Sequence, residues 1–196
     1  MNRAETWGGL NLSRFVVTIG RVEITTYYLE ITSAGELRPS SRAVDVKFAR
    51  AAVPLPELNR FLYATVGRQW QWVDRLEWSR EQWLAWLDRP ELETHIAYVR
   101  GTPAGYFELE SQREGNVEVA YFGVIEEFIG QGVGGALLTR AVERGFETGA
   151  KRVWLHTCTL DHPHALGNYL ARGFRIFREE STTKEHRPRA SWPWYG

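Results

Sequence analysis

The sequence predicts a single α/β domain in which helices flank a mixed, largely antiparallel central sheet. Three observations carry this reading. Strand-like runs at 94–100, 106–112 and 117–124 are joined by the short turns "GTPAG" and "EGN", which makes an antiparallel meander. From 132 onward helical periodicity alternates with β-branched and aromatic runs, the pattern of α/β units. The 196 residues contain no internal repeat and no linker, and that length suits one core. Residues 1–50 are expected to supply N-terminal strands, 51–180 the core and 181–196 a charged, Trp-bearing tail.

The elements follow in order. Residues 15–19 and 22–31 are apolar runs around Gly20 and Arg21 and read as a hairpin, with a further strand at 44–48. Pro54 and Pro56 end that region, and Leu58, Phe61, Leu62 and Val66 recur at helical spacing up to Gly67. In "SREQWLAWL" Ser79 and Gln82 form a capping box ahead of Trp83, Leu84 and Leu87. After the meander, Leu138, Val142 and Phe146 give a helix over 132–148 with Gly149 at its C-terminal cap. A strand at 152–159 follows. Pro163 suits a first helical position, Ala165, Leu166, Tyr169 and Leu170 supply an apolar face, and Gly173 stops that helix before a strand at 175–178.

Composition narrows the function. Lysine plus arginine and aspartate plus glutamate both number 24, so no overall basic field exists to hold nucleic acid or an anionic membrane. The lone Cys158 forms no internal disulfide, and the polar start "MNRAETWGGLN" lacks the apolar core of a signal peptide. Both fit a cytoplasmic protein. Trp70, Trp72, Trp78, Trp83 and Trp86 crowd one interval, and read either as core or as an aromatic wall around a ligand.

The densest signal is "FIGQGVGGALL", with glycine at 130, 132, 134 and 135 where the chain enters a helix. A helix N-terminus carries unpaired N–H groups and partial positive charge, and bare glycine lets an anion reach them. Gly130, Gly132 and Gly135 also fit the dinucleotide pattern G-x-G-x-x-G. However, "IEEF" separates them from the preceding strand, and the segment is not an early βαβ unit. No Gly-Lys-Ser/Thr follows, which excludes a P-loop.

"VIEEFIGQGVGGALL" resembles the Gln/Arg-x-x-Gly-x-Gly/Ala signature of the GCN5-related N-acetyltransferases, with Gln131, Gly134 and Ala136 at its fixed positions. "HPHALGNYLARGF" is similar to that family's later motif, with Ala165, Tyr169, Gly173 and Phe174 in place and His162 where asparagine is usual. The resemblance spans roughly 94–178. It implies that family's fold, acetyl-CoA as co-substrate without a metal, and a small-molecule or peptide amine as acceptor.

The resemblance also distributes roles. The main chain of Gln131, Gly132, Val133, Gly134, Gly135 and Ala136 would cradle the pyrophosphate, with the Gln131 amide reaching a phosphate oxygen. Phe122, Gly123 and Val124 would pair with the pantetheine amides, and an N–H of Phe122 or Gly123 would face the thioester oxygen. His162 would contact the pantetheine or cap its helix. Tyr169 would protonate the departing thiolate, its carbonyl clamped by the Phe174 N–H if the helix ends in a Schellman motif.

Glu118 is the candidate base for the ammonium, on the face of Phe122 in the absence of a bulge, with Glu108 and Glu110 as alternatives. Trp70, Trp72 and Tyr121 are candidates for the acceptor pocket, with Trp78 completing a wall and Asp74 or Glu77 gripping a cation. His156, Cys158, Asp161, His162 and His164 carry metal-ligating groups, but Pro163 points to helix capping rather than to four convergent ligands. Two further readings stay open. One is an acyl-CoA-binding sensor without catalysis. The other is a homodimer contact through an exposed strand edge or residues 191–195.

Overall fold

Arg100 and Gly101 both take positive φ, 49° and 83°, and so reverse the chain between strand β3 (Leu92–Val99) and strand β4 (Thr102–Ser111). Glu114 and Gly115, at 63° and 79°, do the same between β4 and strand β5 (Asn116–Val124). These turns produce the expected meander. The computed structural model describes residues 21–42, 44–70 and 72–185. The expected strand at 15–19, the first half of the hairpin and the tail 191–195 lie outside them.

Seven strands form one mixed sheet among the described residues, in the order β2-β3-β4-β5-β6-β1-β7. Strand β1 (Arg21–Ile31) lies between β6 (Arg152–Cys158) and β7 (Arg175–Glu185), antiparallel to both. Strand β2 (Lys47–Arg50) forms the opposite edge against β3. Among the boundaries that differ from expectation, three strand boundaries have a plain cause. β2 starts later than 44, where pairing with Tyr98 begins. β4 absorbs Pro103 and Gly105, because a register shift opposite Ala97 and Tyr98 relieves proline of a ladder N–H. β7 runs on to Glu185 through "REESTTKE": an exposed edge strand paired with β1 needs no apolar alternation.

Helices cover both faces. Helix α3 (Val133–Glu147) buries Val133, Leu137, Leu138, Ala141 and Val142 against Leu29, Phe107, Val119, Val153 and Leu155. On the other face, helix α1 (Pro56–Gly67) places Leu62 and Val66 against Ile96 and Tyr106. Helix α2 (Arg80–Leu87) starts with the expected capping box, in which the Ser79 hydroxyl accepts from the Gln82 N–H and the Gln82 side chain accepts from the Ser79 N–H. It buries Trp83 and Leu87 beside Tyr63. Helix α4 (Ala165–Ala171) begins after Pro163 rather than on it. Pro163 instead sits inside a turn closed by the Ala165 N–H on the His162 carbonyl at 2.8 Å.

Candidate active site

The site is a fork in the sheet. β5 and β6 run parallel and pair only where Asn116, Val117 and Glu118 meet Arg152, Val153 and Trp154. Beyond Glu118 the two strands separate. Residues 119–124 of β5 then line a cleft of about 1090 Å³ together with Leu155, His156 and Cys158 of β6. Among the described residues Phe122, Gly123 and Val124 therefore lie on an edge with no strand partner on the β6 side, where a ligand amide can pair.

Gly123 is not the site of a bulge. The register shift falls at Ala120, the extra residue between Val119 opposite Leu109 and Tyr121 opposite Glu108. Gly123 meets a different need, because a Cβ there would overlap Val66 Cγ1 of α1. The bulge corrects the expected placement of Glu118. One extra residue flips the alternation, so Glu118 shares its face with Tyr121 and Gly123, and Phe122 points to the opposite side.

At one end of the cleft stands the N-terminus of α3. Gly130 and Gly132 take φ of 80° and 89°, and Gly132 is the left-handed N-cap without a side-chain partner. The Ala136 N–H is already bonded to the Gly132 carbonyl at 3.2 Å, and the Gln131 N–H to the Phe128 carbonyl at 3.4 Å. The cradle is thus narrower than expected: the N–H groups of residues 132–135 come before Ala136, the first N–H with a helical acceptor. The Gln131 side chain does not extend it, since its amide donates to the Glu127 carbonyl at 2.7 Å and locks the loop. Val133 contributes only its N–H, its side chain being buried in the core.

Two cations attend this end that sequence reasoning missed. Arg42 lines the cleft and donates to the Gly130 carbonyl at 2.8 Å. The Arg172 guanidinium lies where a Cβ on Gly135 would come within 2.8 Å. Asn168 also lines the cleft and donates to the Gly134 carbonyl at 3.4 Å. Only the fold brings them together, and nothing in their local sequence marks them.

Tyr169 is buried on the α4 side of the cleft, edge-on to Phe122 at 5.9 Å and to Phe174 at 6.1 Å. Its carbonyl accepts from the Phe174 N–H at 3.2 Å while the Gly173 N–H bonds the Leu170 carbonyl, which is the expected Schellman motif. Burial and then the charge of Asp161 raise the Tyr169 hydroxyl pKa, so it stays a proton carrier at neutral pH. His162 lines the cleft under the edge of Trp70, and its Nδ1 accepts the His164 N–H at 3.0 Å. Desolvation lowers its pKa and keeps it neutral.

Away from the α3 N-terminus the cleft is lined by Trp70, Trp72, Asp74, Arg75, Trp86, Glu118, Tyr121 and His156. The cation that sits among aromatic rings here is the protein's own. Arg75 is 3.9 Å from the Trp86 ring centre, 4.1 Å from Tyr121 and 4.5 Å from Trp78, and pairs with buried Glu108 at 3.5 Å. Trp78 belongs to this packing, and Trp72 donates to Asp161 at 3.4 Å.

The carboxylates now separate. Glu108 accepts from Asn59, Arg75 and Trp86 and is locked in place. Glu110 is held by Arg89 at 2.6 Å. Glu118 accepts from Gln112 at 2.8 Å and faces His156 Nδ1 at 3.4 Å. Asp161 accepts from the Thr157 hydroxyl and the Cys158 N–H, which uses it to close the loop after β6. Among the described residues no group of three or more His, Cys, Asp or Glu is placed to hold a metal ion.

The model of the "Acetyltransferase (GNAT) family" matches residues 59–174. The chain belongs to this family. The GNAT match takes in α1 through α4, the glycine entry to α3 and the fork. A GCN5-related N-acetyltransferase from Kribbella flavida superposes with a TM-score of 0.62 over 86% of this chain and 61% of its own, at 18% identity. A second, from Sphaerobacter thermophilus, gives 0.60 over 86% and 54%, also at 18% identity. A functionally unknown conserved protein from Staphylococcus epidermidis gives 0.56 over 87% and 64%, at 20% identity. These likenesses show the GNAT fold, and the chain spans less than two thirds of each neighbour. No curated protein matches it. Among the described residues no helix is long and apolar enough to cross a membrane.

Proposed function

We propose that this GNAT protein transfers the acetyl group of acetyl-CoA directly to a primary amine. The observation that supports this best is the convergence, in one cleft, of free helix N–H groups at 132–135, an unpaired edge of β5 and Tyr169. An acyl thioester of a long diphosphate-bearing thiol needs all three. The diphosphate takes the N–H groups, with Arg42 adding charge, and the amide arm lies along Phe122, Gly123 and Val124.

The amine must reach the thioester carbon without its extra proton, because an ammonium has no lone pair. As nitrogen attacks, negative charge grows on the carbonyl oxygen, and a β5 main-chain N–H aimed at it lowers the barrier, one such donor contributing about 3 kcal/mol. The C–S bond then breaks, and sulfur takes its proton from the Tyr169 hydroxyl. The acceptor enters past Trp70, Trp72 and Tyr121, and belongs to the small-molecule or peptide amines.

The test is thiol release from acetyl-CoA across a panel of amines, with calorimetric binding in parallel. The expected result is amine-dependent release that Tyr169→Phe suppresses while acetyl-CoA still binds. Saturable binding with no release for any amine would favour a sensor, and absence of binding would defeat both readings.

A further inference from the structure

Glu118 and Trp154 form the last pair before β5 and β6 part. Strand alternation places His156, two residues on, on the face of Trp154 and Glu118. His156 is thus the first β6 side chain past the fork on the acceptor face, and both it and Glu118 line the cleft. The two are placed differently: the Glu118 side chain is 13% exposed, the His156 side chain 52%. The carboxylate sits inside and the imidazole at the opening.

The pair is built in. Trp154 Nε1 donates to Gln112 Oε1 at 3.0 Å, Gln112 Nε2 donates to Glu118 Oε2 at 2.8 Å, and Glu118 Oε1 stands 3.4 Å from His156 Nδ1. An ionised carboxylate only accepts, so a proton on Nδ1 would face Glu118 and leave the lone pair on Nε2, across the ring. We propose that His156, oriented by Glu118, is the base that takes the proton from the acceptor ammonium. This rests on the amine-transfer reading above. It makes Glu118 a positioning residue and His156 a catalytic one.

The proton balance closes. The ammonium gives one proton to Nε2, and the freed lone pair forms the C–N bond. When the C–S bond breaks, Tyr169 protonates sulfur and is reprotonated through solvent by the second nitrogen proton. His156 then releases its proton to water. The products are the amide, the free thiol and one proton. Among the described residues the imidazole is faced by Glu118 from β5, the Tyr28 ring of β1 at 6.0 Å, the Trp154 ring of its own strand at 6.3 Å, and Asp161 from the loop after β6. Tyr28 is itself tied to Glu180 at 2.9 Å. The Glu118 contact, opposed by desolvation and aided by the charges of Glu118 and Asp161, raises the His156 pKa.

The experiment combines ¹⁵N NMR of the His156 ring with pH–rate profiles of the wild type, His156→Gln and Glu118→Gln. The expected ring is the Nδ1–H tautomer, titrating above the ordinary value of 6.5. His156→Gln should lower kcat about 100-fold and remove the rising limb of the profile, with acetyl-CoA affinity kept. Glu118→Gln should move that limb to lower pH and keep most of the rate above it. An Nε2–H tautomer alongside normal transfer would overturn the base alone. So would a rising limb that survives His156→Gln and vanishes in Glu118→Gln. Absence of transfer by the wild type would overturn the functional reading and the base with it.

Discussion

Gly123 and Val66 meet across the interface of β5 and α1 so closely that a Cβ on residue 123 would overlap Val66 Cγ1. The first acceptor-face helix is therefore seated directly on the strand whose free edge lines the cleft. Gly123→Ala should destabilise the fold by about 1–3 kcal/mol through overpacking and weaken acetyl-CoA binding as β5 shifts. Adding Val66→Ala should recover part of both losses, a non-additivity that urea unfolding and calorimetry on the double variant would measure.

Glycine lets the chain enter α3 through a left-handed turn without strain. At φ 89° any other residue at 132 is disfavoured, and a Cβ there would also come within 2.7 Å of Arg42 Cδ. Gly132→Ala should cost about tenfold in acetyl-CoA affinity with thiol chemistry on the bound complex little changed. Arg42→Gln should bind more weakly and with a shallower dependence on salt, read by titration at two ionic strengths.

Arg75 and Glu108 are buried together beneath the aromatic rings of Trp78, Trp86 and Tyr121. Arg75→Met strands the carboxylate and should cost about 3–5 kcal/mol, whereas Arg75→Met with Glu108→Gln should regain much of that loss. Thermal melts of the wild type and the two variants decide it. If the single and double variants melt together, the guanidinium serves only as packing between Trp78, Trp86 and Tyr121.

Glu93 joins β3 to β2 and α3, accepting from Arg144 at 2.8 and 2.7 Å and pairing with Arg50 at 3.1 Å. The Arg144 hydrogen bonds, against desolvation, hold its carboxyl at about 2, below the ordinary 4.5. A depressed carboxylate contributes stability above its unfolded pKa and loses it as pH falls through the folded value. Glu93→Gln should therefore be less stable by about 1–2 kcal/mol at neutral pH, allowing for partial screening, and the deficit should close between pH 4.5 and 2. Denaturant melts across that window check it.

Local chemistry made much of this legible. The meander turns, the Ser79 capping box, the Gly132 entry to α3 and the Schellman end at Gly173 all depend on residues within a few positions of one another. What escaped depends on distant partners. Strand propensity identified 22–31 as a strand, but its seat between β6 and β7 is a choice among edges made in three dimensions. Ala120 carries no mark of a bulge, so the alternation that set Glu118 beside Phe122 failed one step along the strand. The crowded tryptophans read as core or as a wall around a ligand, and only packing revealed that Trp78 and Trp86 flank Arg75. His156 was visible as a metal-ligating type, while its pairing with Glu118 needed the fork.

The central claim is that the coenzyme lies in the fork with its diphosphate on the amides of residues 132–135. Titrating ¹⁵N-labelled protein with acetyl-CoA and following backbone amide shifts tests it most directly. The largest shifts are expected at Gly132, Val133, Gly134 and Gly135, with a second group at Phe122, Gly123 and Val124. Saturable binding that leaves those amides unmoved would contradict it.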